Sequence, residues 1–376
     1  MYQVNPNLKT VKVKDIPYIH ILGRTGRMAD SLPLFFNGSG IEVCVTGSDL
    51  WIELESNCDF HEPWIAYELN GAFMGRQMLL PGEHKICLFR NMTPGVVKTV
   101  RFYRELQAMS EDDFCKVCVR TLSTDGDFVP VKPFDMKIEF IGDSITSGEG
   151  TYGAVQDTDW LAMYMSASQN YATMTARSLN ADYHLISQGG WGVYCGWDND
   201  VRHNIPSVYE KVCGLATGPY NEGMYAQNPY DFEWQPDVIV VNLGTNDNSA
   251  FVQPPLEIPG MGTFKQRMNE DGTHNAEDSK KVIDAAVSFL KMLREHNPGA
   301  HIVWTYGMLG NELAPEITEA LRQYKEQSKD ENVSFLELPD TTAETFGAHM
   351  HPGVKSHMAA AKVLCGYITD IMKDRN

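Results

Sequence analysis

No apolar run in this chain is long enough to cross a bilayer, and the amino-terminal segment MYQVNPNLKTVKVKD lacks the apolar stretch of a secretory leader. A cytoplasmic protein that does not engage a membrane is therefore expected. Positive charge is scarce as well, with 31 Lys and Arg against 49 Asp and Glu and a formal charge of −18. No basic cluster offsets that imbalance, which argues against nucleic acid or an anionic surface as partner and for a neutral substrate. Paired cysteines are equally rare. Eight are scattered through the chain, and Cys115-Lys116-Val117-Cys118 is the single CxxC. On a strand its two thiols point to opposite faces, and no second pair or histidine lies near, so reduced buried thiols are expected, with no zinc or redox centre. Internal repeats and low-complexity tracts are absent.

What is present is length and apolar content enough for two cores, 376 residues of which 43% are hydrophobic. From about Ile19 to Val131 the chain reads as short β-forming runs between turn residues: IEVCVTG, LWIELES, WIAYELNG, HKICLFR, VVKTVRFYRE and CKVCVRTLS. This spacing predicts an antiparallel sandwich, with Asn70-Gly71 as a hairpin turn. After Met136 the period changes. Strand-like runs (KIEFIG, YHLIS, DVIVVNLG, HIVWTYG, SFLEL) alternate with helical ones near 169–179, 276–296, 315–328 and 355–373. That alternation predicts a mostly parallel sheet with helices on both faces. The expected domains are residues 1–133 and 134–376, joined by the proline-bearing segment around 127–135.

The run KIEFIGDSITSG delivers Ser144 to the end of an apolar strand, at the carboxyl edge where open α/β folds keep their ligands. By itself this reads as readily as a strand-to-helix cap. A serine nucleophile also needs a base and donors for an oxyanion. YHLIS is followed by Gln188-Gly189-Gly190-Trp191-Gly192, where a glycine admits close approach of a backbone N–H, and DVIVVNLG is followed by Thr245-Asn246-Asp247. Asn246 alone could equally cap a loop. With the N–H of Ser144 and one from the glycine loop, its amide would make a three-donor oxyanion hole. His351, in His349-Met350-His351-Pro352, is the natural base, because a residue before proline is held extended. The H-x-H pair lacks an evident third ligand, so neither metal nor organic cofactor is expected.

Three long connections, 149–168, 195–235 and 248–275, leave the same rim as Ser144 and carry many aromatic residues. Trp160, Trp191, Tyr194, Trp197, Asp247 and Phe251 are the expected sugar contacts. The alternative for any one ring is that it pins its loop.

A GDS serine, a glycine loop, a GTND asparagine and a late His-Pro, in this order, resemble the SGNH (GDSL-type) hydrolases. With a β-sandwich ahead of them, and with GDSITSGEG, GGWGVY and YDFEWQPDVIVVNLGTND, the chain resembles carbohydrate esterase family 2. The resemblance implies a jelly-roll domain before a flavodoxin-like α/β/α SGNH domain. It further implies Ser144 as nucleophile, His351 as base, Gly190 and Asn246 as oxyanion donors, and acetylated hemicellulose oligosaccharides as substrates. Mannan- or glucomannan-derived ones come first and xylan-derived ones second; a lipase or thioesterase would use the same blocks. One position departs from the family pattern. Where an aspartate commonly precedes the histidine by three residues, this chain has Ala348. A main-chain carbonyl of His349 or Met350 is therefore expected to orient His351, with Asp340 as the competing candidate.

Overall fold

The computed structural model describes residues 5–26 and 30–373, so the first four residues of the segment read for a leader lie outside the described part. The chain forms two compact units. The first comprises residues up to Phe134 together with Leu161–Met163 and Lys211–Tyr230; the second comprises Asp135–Trp160, Tyr164–Glu210 and the chain from Asp231 onward.

In the first unit, apolar alternation builds two antiparallel sheets over one core. Leu50–Asn57 shows the cause most plainly: Leu50, Ile52 and Leu54 point inward while Trp51, Glu53 and Glu55 face outward. These inward residues share a core with Ile41, Val43, Val100 and Phe102 from the other sheet. The hairpin at Asn70-Gly71 closes as a two-residue turn between Leu69 and Ala72, with φ of 54° and 80° at the two turn residues. Its second strand, Ala72–Met78, is largely exposed and carries no apolar alternation, so the sequence pattern does not announce it. All eight cysteines are free, Cys115 and Cys118 included. Lys211–Tyr230 fastens to this unit through cations on its rings: the Lys116 ammonium lies 3.4 Å from the Tyr220 ring centroid and the Arg24 guanidinium 4.1 Å from that of Tyr230.

Elements of the second unit are numbered here in chain order: β1 (Met136–Gly142), α1 (Tyr171–Ser178), β2 (Ala181–Ser187), β3 (Val238–Asn242), α2 (Ala276–His296), β4 (His301–Gly307), α3 (Ala314–Ser328), β5 (Val333–Leu338) and α4 (Val354–Lys373). The strands are all parallel in the order 2-1-3-4-5, the doubly wound arrangement of flavodoxin-like folds. Every residue of β2 and β3 is buried, as a sheet covered on both faces requires. Helices α1 and α4 pack together, as do α2 and α3. The connection after β3 is not bare loop, since Leu256–Ile258 and Gly262–Phe264 pair as a small hairpin.

Register fixes the site. Gly142 at the end of β1 pairs with Ser187 on one side and Asn242 on the other, so the loops after β1, β2 and β3 emerge side by side at the carboxyl edge.

The first-unit turn gives a clean test of backbone strain. A methyl group at Gly71 meets nothing within 4 Å, so Gly71→Ala carries only the penalty of its positive φ and is expected to lose about 1–2 kcal/mol. Gly75, equally open but without positive φ, is the control, and Gly75→Ala should be neutral or slightly stabilising. Urea midpoints of the two variants measure the difference.

Candidate active site

Ser144 opens a single helical turn, Ser144–Ser147, directly after β1. The turn is tight: a Cβ at Gly142 would sit 2.1 Å from Thr146 Oγ1 and 2.8 Å from the Asn242 carbonyl, so only glycine fits. Asp143 caps it, accepting the Ile145 N–H at 2.9 Å. Its other carboxylate oxygen is buried without a partner. Burial, reinforced by the charges of Asp247 and Glu149, pushes Asp143 up to about 7. Ser144 itself is 5% exposed.

Ser144 Oγ donates to His351 Nε2 at 2.9 Å, and His351 Nδ1–H donates to the His349 carbonyl at 2.6 Å. The turn that aims this carbonyl is unusual. His349 and Met350 have φ of 52° and 54°, two consecutive side-chain-bearing residues in the left-handed region. Ala348 is fully buried against Gly153, so no carboxylate occupies the place an aspartate takes in the family pattern. The rival orienting residue is engaged elsewhere: the Asp340 carboxylate accepts N–H groups of Gly310 and Thr341 at 3.1 and 2.9 Å.

The neighbouring loops carry the other candidates. Gly190 adopts φ 79°, and Trp197 lies against it, its indole Cδ1 3.2 Å from where a Cβ would stand. Trp197 is half exposed, while Trp191 stacks on His203 with centroids 5.1 Å apart. Asn246 Nδ2 donates to the Trp191 carbonyl at 2.9 Å, which ties the β2 and β3 loops together and leaves its second hydrogen free for another acceptor. Tyr194 borders a polar cavity of about 220 Å³ with Asn199, Gln266 and Lys281.

Two expected sugar contacts have other work. Asp247 is fully buried and accepts the N–H groups of Val193, Tyr194 and Cys195 at 2.8, 2.7 and 3.1 Å, so it shapes the β2 loop from beneath. Phe251 is 1% exposed and stacks on His274 at 4.1 Å, pinning its own loop.

One residue was not anticipated. Glu149, 6% exposed, hydrogen-bonds His349 Nδ1 at 2.7 Å and lies 3.7 Å from His351 Nε2. The Trp160 indole also hydrogen-bonds this carboxylate. Burial disfavours its charge, but the two histidines and Trp160 outweigh that effect and hold Glu149 below the ordinary carboxylate range. The same bond holds His349 above its ordinary value. Glu149, His349 and His351 thus offer three possible ligand atoms within 4.8 Å of one another, supplying the third donor that the H-x-H motif lacked. A divalent ion there would take the Nε2 lone pair that Ser144 uses. The sequence signal was the acidic residue in Gly148-Glu149-Gly150, but nothing in the spacing links it to the histidines two hundred residues away.

The GDSL-like lipase/acylhydrolase family model matches residues 140–359. An acetyl xylan esterase (Est2A) from the rumen bacterium Butyrivibrio proteoclasticus is 59% identical, with a TM-score of 0.96, over 97% of this chain and 99% of that one. An acetylxylan esterase/glucomannan deacetylase from Cellvibrio japonicus is 25% identical over 96% of this chain and 91% of its own length. The chain is 28% identical to the cellulase/esterase CelE of Acetivibrio thermocellus over 63% of its residues, and spans 26% of that longer protein. Family two carbohydrate esterases from Clostridium thermocellum and Cellvibrio japonicus share the fold, with TM-scores of 0.77 at 22–23% identity. The chain belongs to the GDSL-like lipase/acylhydrolase family.

Proposed function

We propose that the protein removes O-acetyl groups from neutral hemicellulose-derived oligosaccharides through an acetyl-enzyme. The observation that carries this reading is the continuous hydrogen-bond line from Ser144 Oγ to His351 Nε2, and from Nδ1 to the His349 carbonyl. The carbonyl fixes the tautomer, leaving Nε2 unprotonated toward the serine.

As Ser144 Oγ bonds to the ester carbon, His351 takes its proton. The charge forming on the ester oxygen falls to the N–H groups of Ser144 and Gly190 and to the free hydrogen of Asn246 Nδ2. His351 returns the proton to the departing sugar oxygen; water then adds to the acetyl-enzyme by the same steps in reverse roles. The half-exposed Trp197 beside Gly190 offers an apolar face to a sugar ring. Solved family two esterases with cellohexaose bound support an extended oligosaccharide as the ligand class. The relatives named above favour xylan- and glucomannan-derived acetates alike.

Acetylated manno- and xylo-oligosaccharides are expected to lose mass in steps of one acetyl group with the parent protein and none with Ser144→Ala; mass spectrometry of the products ranks the two sugars. If neither substrate releases acetate while octanoyl esters are cleaved, the acyl specificity is that of a lipase. Asn246→Ala is expected to lower kcat by roughly 10²–10³, about 3–4 kcal/mol, and a tenfold loss or less removes it from the oxyanion hole. Asp340→Asn, by contrast, should leave kcat within twofold of the parent, since its carboxylate braces a different pair of loops.

A further inference from the structure

A serine–histidine pair oriented by a carbonyl has a chemical gap. The carbonyl fixes the tautomer but brings no full negative charge to the imidazolium that forms when His351 takes the serine proton. We propose that Glu149 fills this gap as a positioning and charge-stabilising residue, acting on His351 from the Nε2 side with His349 as its modulator. The inference rests on the esterase reading above.

Three observations converge. The carboxylate is buried, at 6% exposure, and lies 3.7 Å from His351 Nε2. It is held in place: the Glu149 N–H donates to the Ser144 carbonyl at 3.0 Å, and its side chain bonds His349 Nδ1 at 2.7 Å and the Trp160 indole. The His349 and His351 rings lie parallel, 3° apart with centroids at 5.4 Å, so a proton on His349 opposes a proton on His351 while Glu149 favours both. When Ser144 Oγ bonds to the acyl carbon, its O–H bond breaks and the proton passes to Nε2. The positive charge so made then lies beside a fixed anion in a site with little water to screen it.

The other carboxylates of the rim are engaged elsewhere. Asp143 caps the Ser144 turn through the Ile145 N–H, and Asp247 accepts the N–H groups of Val193, Tyr194 and Cys195. His357 on α4, fully buried, is pushed down to about 3 by burial and by the charge on His351, and accepts the Tyr171 N–H at Nδ1. Asp159 acts on His349 by charge alone.

The test uses two variants of opposite electrostatic sense. Glu149→Gln keeps an acceptor for His349 and removes the charge; His349→Asn suits the left-handed backbone, retains its carbonyl, and leaves the Glu149 charge uncompensated. With Glu149→Gln, kcat/KM for a simple acetyl ester should fall about tenfold or more with KM little changed, and its acid limb should move to lower pH by about one unit. With His349→Asn the acid limb should move the other way. In parallel, NMR of the His349 ring should show its titration returning toward the ordinary histidine range in Glu149→Gln. Labelling of Ser144 by a fluorophosphonate, which needs neither sugar nor acetate, should slow in Glu149→Gln as well. If the parent labels but cleaves no acetyl ester, the substrate reading fails while the labelling comparison still tests Glu149. Acid limbs that stay put in both variants, or that move in the same direction, overturn the proposal. So does a Glu149→Gln variant that melts like the parent and retains activity within twofold.

Discussion

The turn from Gly347 to His351 is the constraint on which the chemistry depends. Two successive residues with side chains, His349 and Met350, sit at positive φ, a conformation that costs roughly 1–2 kcal/mol each. Four backbone hydrogen bonds hold them there: Gly347 N–H to the His351 carbonyl, Ala348 N–H to that of Gly150, His349 N–H to that of Asp157, and His351 N–H to that of Ala348. The loop that follows the Ser144 turn therefore also templates the turn that carries its base. Close approach makes this possible, because a Cβ at Gly150 would lie 2.2 Å from the Ala348 carbonyl and one at Gly347 2.1 Å from the Gly150 carbonyl. Glycine at 150 and 347 is what lets nucleophile and base share one backbone junction.

That junction explains which parts of the site could be read from sequence. Ser144, Gly190, Asn246 and His351 each follow a run whose β character is plain, and the parallel order of those runs brings three of them to one edge. The helices at 276–296, 314–328 and 354–373 were legible because their apolar period is long and uninterrupted. Glu149 was not, because its partners come from the far end of the chain and reach it through backbone contacts such as Gly150–Ala348 that the sequence does not show. Asp247 and Phe251 were misassigned for the opposite reason. A carboxylate and a ring beside a catalytic block look like ligand contacts, but burial decides, and the loop after β2 needs an acceptor for three successive N–H groups. Strand 72–78 and the hairpin at 256–264 lack the apolar alternation on which strand recognition rests. The segment 211–230 reads as a loop of the second unit, and its contacts show where it packs: the cation–ring pairs of Tyr220 and Tyr230, and the hydrogen bonds of Thr217 and Asn221 to Asp113.

The catalytic rim also sorts its buried carboxylates by environment. Asp143, Glu149 and Asp247 are all removed from water, and burial alone would raise all three. Asp247 answers with three backbone donors, enough to place a loop but not to cancel burial. Asp143 accepts the Ile145 N–H, and burial together with the repulsion of its neighbours pushes it up to about 7. Glu149 alone faces cationic partners, and it alone is driven below the carboxylate range. Of the three, Glu149 is the carboxylate whose charge its surroundings favour. It stands beside the histidine that must carry a positive charge during each acyl transfer, which is where a catalyst lacking the usual aspartate has most need of it.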